Sequence, residues 1–179
     1  MRPLVCAAAI LASLAAVGLA APRGEARTSV PGDGCLVIDG GFGNVTVTLT
    51  RGLIFGRVQS VSSIVVDDPV VNDPTPPVVY GAGGKSLLPD GRIKYIGNQT
   101  NAPIRFRSQG AVKFKISDAT LLDLSVVGRG LAFLSSGGFA PDTQNLYSVD
   151  ATSFCQDNFL PLPPTGAKPV RVSISSPTS

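Results

Sequence analysis

Apolar and polar residues alternate along most of the chain from Cys35 onward, which is the period-two pattern of half-buried β-strands. The stretch from Val45 to Leu49 shows the pattern most simply, as Val, Thr, Val, Thr and Leu in turn. The same pattern recurs at 53–58, 63–66, 92–96, 104–107, 112–116, 121–127 and 131–134. Gly, Pro, Asn and Asp separate these segments, as turns require. The chain is therefore predicted to be all-β, as an antiparallel sandwich or a small barrel.

An internal similarity bears on how such a fold arose. With Gly43 set against Gly110, the apolar positions of 45–49 coincide with those of 112–116. The same register places 54–55 on 121–122, and 64 and 66 on 131 and 133. Duplication of a three-strand unit would produce this agreement. A chance alignment of two alternating segments would produce it too, so both interpretations stay open.

The first 26 residues have the three parts of a secretory signal peptide. Met1 and Arg2 provide the positive start, an apolar run extends from Leu4 to Ala21, and small residues allow cleavage after Ala20 or Ala26. This pattern predicts a secreted or otherwise extracytoplasmic protein of the cell envelope. It also predicts that the mature chain contains no transmembrane helix.

A single β domain is predicted for 27–160, followed by a tail at 161–179. The tail is rich in Pro and Ser, a composition typical of mobile segments. Within it Val170 to Ile174 alternates, and a final edge strand is the alternative there.

Two cysteines remain once the signal peptide, which contains Cys6, is removed. Cys35 and Cys155 lie near opposite ends of the predicted domain. Exported proteins meet an oxidising environment in which a surviving pair usually bonds. The sequence therefore predicts a Cys35–Cys155 disulfide, with two buried free thiols as the alternative.

Catalytic chemistry has little support in the sequence. The chain contains no histidine, so the most common general base is absent, and no cofactor or metal site is predicted. Aspartates at 67, 68, 118 and 123 could form the carboxylate pair of a glycoside hydrolase. The chain has no Trp and only three Tyr, whereas sugar-binding sites usually offer aromatic platforms. A carboxylate-dependent hydrolase therefore ranks below a non-enzymatic protein.

Four basic residues form the candidate ligand-binding site. Arg105 and Arg107 precede Ser108-Gln109-Gly110, and Lys113 and Lys115 follow it. A three-residue hairpin loop favours glycine at its last position, so a β-hairpin is expected here. This hairpin would place Arg105 opposite Lys113, although opposed like charges destabilise a sheet. A bound anion would offset that repulsion, and an ordinary solvated face is the alternative.

The sequence also resembles a known group of proteins. The segments 35–37, 52–58, 104–107 and 124–130 are similar to those of exported proteins of high-GC Gram-positive bacteria that have no assigned activity. The resemblance implies export and β structure, and it transfers no functional residue.

Together these features predict a non-enzymatic binding domain whose partner is an anionic component of the envelope. The formal net charge of +3 is too small to indicate specific nucleic-acid binding. A purely structural envelope protein is the alternative function.

Overall fold

The structure is a computed structural model that describes residues 33–59, 63–67, 77–97, 102–136, 145–150, 155, 158–164 and 166–175. The predicted signal peptide lies outside these residues. All regular structure in the described part is β, in ten strands. They are β1 (Gly34–Val58), β2 (Ser63–Asp67), β3 (Val78–Tyr80), β4 (Gly84–Leu87), β5 (Ile93–Ile96), β6 (Ile104–Gln109), β7 (Val112–Ser136), β8 (Leu146–Asp150), β9 (Leu160–Pro161) and β10 (Val170–Ile174).

Two very long strands organise the fold. β1 and β7 each contain 25 residues and include segments that the sequence pattern separates into two or three strands. The middle of β1, 43–49, pairs with 112–119 of β7 on one edge and with 130–136 on the other. The middle of β7, 122–128, pairs in the same way with 34–41 and 52–58 of β1. Each long strand therefore pairs with the other along both of its edges, which forces the sheet to curl.

The ten-stranded antiparallel sheet thus has two wings that share the long strands. The β2 wing has the order β4, β5, β2, β7 (112–119), β1 (43–49), β7 (130–136), β10. The β6 wing has the order β9, β8, β1 (34–41), β7 (122–128), β1 (52–58), β6, β3. The predicted all-β, antiparallel class is confirmed, in the form of a curled half-barrel sheet.

Glycine lets the long strands bend without breaking. Gly52 and Gly128 are directly paired and have φ angles of 138° and 147°, a region that residues with a Cβ rarely adopt. A Cβ on Gly52 would collide with the carbonyl oxygen of Val127, and one on Gly128 with that of Arg51. The two backbones can approach this closely only because both positions lack a side chain.

The core fills the concave side of the curled sheet. Alternate residues are buried along both long strands, for example Val45, Val47 and Leu49 on β1. Phe106 of the β6 wing and Phe114 of the β2 wing stack with ring centroids 5.4 Å apart. This contact joins the inner faces of the two wings. The intervening residues of each strand therefore point outward, and they form the surface available to ligands.

The predicted disulfide is present between Cys35 and Cys155. The two Cα atoms are 5.7 Å apart, and both residues are buried. Cys35 lies in the β6 wing, where β1 pairs with Val127 on one side and Asp150 on the other. The bridge thus connects a central strand to a position 120 residues later.

The C-terminal segment contributes to the sheet. Residues 170–174 form the edge strand β10, paired with 130–134 of β7, which is the strand alternative for that segment. Val172 and Ile174 are buried in the core. Regular structure therefore continues past residue 160, beyond the predicted domain boundary. No helix in the described part of the chain has the length and hydropathy needed to cross a membrane.

Candidate anion-binding site

The predicted hairpin between the two pairs of basic residues is wrong. β6, which carries Arg105 and Arg107, pairs with β1 on one edge and β3 on the other. The first part of β7, which carries Lys113 and Lys115, pairs with β1 and β2. Both edges of each segment are therefore occupied by other strands, so the two cannot pair with one another. The chain crosses at Gly110 from the β6 wing to the β2 wing.

The two pairs are consequently far apart along the sheet. Arg107 lies opposite Phe55 of β1, whereas Lys113 lies opposite Thr48 of the same strand. Those two neighbours are seven positions apart along β1, which corresponds to roughly 23 Å of extended strand. The four cations therefore do not form one site.

Arg105 and Arg107 lie on the outer face of the β6 wing. Arg105 is flanked by Arg57 and Tyr80, and both arginines are exposed. Arg57 forms an ion pair with Asp123, the residue opposite it on β7. Among the described residues, Arg105 and Arg107 have no ion-pair partner.

Lys113 and Lys115 line a cleft on the outer face of the β2 wing. Lys115 is flanked by Val65 of β2 and Thr46 of β1, whereas Lys113 lies opposite Asp67 of β2. The cleft has a volume of about 280 Å³. Its lining consists of Thr46, Val65, Asp67, Arg92, Lys113 and Lys115.

The floor and walls of the cleft differ in chemistry. Val65, Asp67 and Thr46 are half-buried and form the floor, while Lys113 and Lys115 are exposed. Side chains two residues apart on a strand share a face, about 6.6 to 6.8 Å apart at their Cα atoms. Both ammonium groups can therefore reach the same bound group. The Thr46 hydroxyl adds a neutral hydrogen-bond donor.

Arg92 is the third cation of the cleft and is oriented by a carboxylate. Its Nε donates to Oδ2 of Asp90 at 2.7 Å, and its backbone N–H donates to Oδ1 at 3.2 Å. The side-chain hydrogen bond from Arg92 is the main reason that the pKa of Asp90 is lowered. The same bond, helped by the nearby charge of Asp67, raises the pKa of Arg92.

The charge balance of the cleft is positive. Lys113 and Lys115 have no ion-pair partner among the described residues, and Asp67 is the acidic residue in the lining. Lys94 lies beside Val65 on β5, in line with Lys115 on the same face. This arrangement can bind an anion, and Lys ammonium groups act on phosphate or sulfate as point charges.

The candidate carboxylate pair is not assembled in the described residues. Asp67 lies opposite Lys113, and Asp118 is five residues further along β7, about 16 Å in an extended strand. Asp123 is engaged with Arg57. Glycosidase carboxylates lie about 5 to 9.5 Å apart, so these positions do not fit that chemistry. Asp68 lies outside the described residues.

Two of the six residues that line the cleft belong to the candidate site that the sequence predicts. These are Lys113 and Lys115, whereas Arg105 and Arg107 lie on the β6 wing. Thr46 and Val65 could not be found from the sequence, because they belong to strands that are distant in sequence and adjacent only in the sheet. Asp67 was a candidate only as a catalytic carboxylate.

Comparison with known proteins leaves the fold and the site as the basis for inference. No family model matches the chain, and neither the curated proteins nor the solved structures that were searched contain a significant match.

Proposed function

We propose that this protein is an exported, non-enzymatic domain of the cell envelope that binds an anionic ligand in the cleft of the β2 wing. Lys113 and Lys115 bind the anion, Arg92 faces them, and Thr46 donates a hydrogen bond from the floor. One observation carries the proposal: two lysines without ion-pair partners among the described residues flank a half-buried cleft.

Export is the second part of the proposal, and several features support it. The N-terminal sequence has the pattern of a cleavable signal, and a disulfide is compatible with an extracytoplasmic compartment. The resemblance to exported proteins of high-GC Gram-positive bacteria agrees with the same compartment.

The experiment is a calorimetric titration of the purified protein with inorganic phosphate and inorganic sulfate. The test variant carries Lys113→Ser and Lys115→Ser. The matched control carries Arg105→Ser and Arg107→Ser, which removes the same charge from the outer face of the β6 wing. A surface charge contributes about 1 kcal/mol or more to a close ionic contact, so the test variant should lose at least about tenfold in affinity.

The control variant should bind within about twofold of the unmodified protein, and binding should weaken as salt is raised. Equal losses in both variants would show that only net charge matters, which contradicts a defined site. Absence of binding by the unmodified protein would favour the alternative of a purely structural envelope protein.

We also infer that the two long strands descend from a duplicated unit. β1 and β7 are equally long, and each is flanked on one edge by a strand that follows it, β6 or β10 respectively. The supporting alignment sets Arg51 against Arg129, in place of Gly43 against Gly110. In this register Arg51-Gly52-Leu53 coincides with Arg129-Gly130-Leu131. An alignment of related sequences should keep this motif in both strands, and its loss from one strand would contradict duplication.

A further inference from the structure

The outer face of the β2 wing continues beyond the cleft toward the edge strand β10. Thr46 on the cleft floor lies opposite Phe133 of β7, and Phe133 lies opposite Arg171 of β10. Directly paired residues share a face, so the row runs from Lys115 through Thr46 and Phe133 to Arg171.

Phe133 is a large apolar side chain on a strand that is paired on both edges, and 44% of it is exposed on the outer face. Its direct neighbours in the row, Thr46 and Arg171, leave the ring accessible from outside. An exposed ring beside a guanidinium provides an apolar contact next to a charge, which suits a ligand with both kinds of group.

The spacing of the charges indicates the size of that ligand. Lys115 and Arg171 are three strand spacings apart, or about 14 Å at 4.7 to 4.9 Å per strand. When both side chains extend away from the sheet, a single phosphate or sulfate is too small to contact both. A chain that carries several anionic groups can contact both, with an uncharged part lying over Thr46 and Phe133.

We propose that the ligand is an anionic polysaccharide, a linear chain of sugar units bearing phosphate or sulfate, which crosses the strands of the β2 wing from the cleft to β10. The inference rests on the proposed function, because the cleft binds one anionic group of the chain. Phe133 packs against the apolar face of a sugar ring, and Arg171 binds a second anionic group. A second row on the same face runs from Lys113 through Thr48 and Leu131 to Ser173. The hydroxyls of Thr48 and Ser173 in this row can hydrogen-bond sugar hydroxyls.

Single-stranded nucleic acid fits this surface less well. Proteins that bind it without sequence preference stack successive bases on several aromatic side chains. Across the described positions of these two outer rows, Phe133 is the aromatic residue. The charged groups of an anionic sugar chain supply its main contacts, so this surface needs fewer aromatic platforms than a site for neutral sugars does.

The test compares probes of increasing length and different chemistry on the purified protein. The probes are inorganic sulfate, short and long heparin fragments, inorganic polyphosphate and an oligothymidylate, each titrated at several salt concentrations. Long heparin fragments should bind at least about tenfold more tightly than short ones, because a second contact within one chain adds avidity. Polyphosphate, which has no rings, should bind without help from Phe133.

Two variants and one control locate the second contact. Phe133→Ala should weaken binding of long heparin about fivefold and leave binding of inorganic sulfate unchanged. Arg171→Ser should lower the salt dependence of long-heparin binding by roughly one ionic contact and also leave sulfate binding unchanged. The control variant, Arg107→Ser on the β6 wing, should leave both long-heparin binding and sulfate binding unchanged. Both test residues are exposed, so thermal unfolding should confirm that the variants remain folded.

The outcomes separate this inference from the proposed function. If sulfate binds in the cleft but long heparin gains nothing, or both variants behave like the unmodified protein, the polysaccharide inference is overturned and the cleft remains an anion site. If oligothymidylate binds more tightly than long heparin and depends on Phe133, the partner is a nucleic acid and the inference is again overturned. If no probe binds, the proposed function itself fails.

Discussion

The Cys35–Cys155 disulfide should supply a large share of the stability of the fold. It joins positions 120 residues apart, and in the chain-entropy model a loop of this length restricts the unfolded state by about 5 kcal/mol. Domains of this size are typically stable by only about 5 to 15 kcal/mol in total. Loss of the bridge should therefore leave a marginally stable protein.

Urea unfolding measures this effect directly. The oxidised protein is compared with the same protein after reduction and with a Cys35→Ala, Cys155→Ala variant, with Cys6 replaced by Ala in all three. The bridged form should unfold at a clearly higher urea concentration, and the free energy of unfolding should differ by roughly 3 to 5 kcal/mol. Reduced protein and double variant should agree within about 1 kcal/mol, since both lack the bridge. A difference below about 1 kcal/mol between the bridged and unbridged forms would refute the reasoning.

Four further predictions concern single positions. Gly52→Ala should lower the free energy of unfolding in urea by about 3 kcal/mol or more, because the added Cβ collides with backbone and the residue has a positive φ. An almost unchanged free energy of unfolding would contradict the close approach of Gly52 to Gly128. Ser108→Ala should raise the free energy of unfolding by up to about 1 kcal/mol, because the buried Ser108 hydroxyl has no hydrogen-bond partner among the described residues. A lower free energy of unfolding would show that this hydroxyl does form a hydrogen bond. Burial raises the pKa of Tyr147, so the tyrosine ionises first in the unfolded chain, and the stability of the fold should fall as pH rises above about 10. Tyr147→Phe should make this decline less steep in thermal melts, and an unchanged decline would show that another group causes it. Asp67→Asn should strengthen phosphate binding several-fold in calorimetry by removing a negative charge from the cleft floor, and weaker binding would place the anion elsewhere.

The sequence pattern predicted the strands well because it reports on burial. Segments such as 63–66 and 104–107 appear as β2 and β6 with the expected alternation of buried and exposed residues. The pattern failed at Gly52 and Gly128, where glycine usually marks a turn. Here glycine allows a close pairing inside continuous strands, and nothing local in the sequence distinguishes the two roles.

The hairpin prediction failed for a related reason. Gly110 has a φ of 100°, as the loop of a hairpin requires, but β6 pairs with β1, and the first part of β7 pairs with β2. Phe106 and Phe114 meet across the core between the two wings. Burial of these rings competes with local pairing, and long-range packing of this kind cannot be deduced from the two segments alone.

The most direct test of the account is the location of a bound anion by NMR. Amide signals of uniformly ¹⁵N-labelled protein are followed during titration with inorganic phosphate. The account predicts saturable shifts at Lys113, Lys115 and Thr46, with Arg105 and Arg107 unaffected. Shifts centred on Arg105 and Arg107, or no saturable shift at any residue, would contradict an anion site in the cleft of the β2 wing.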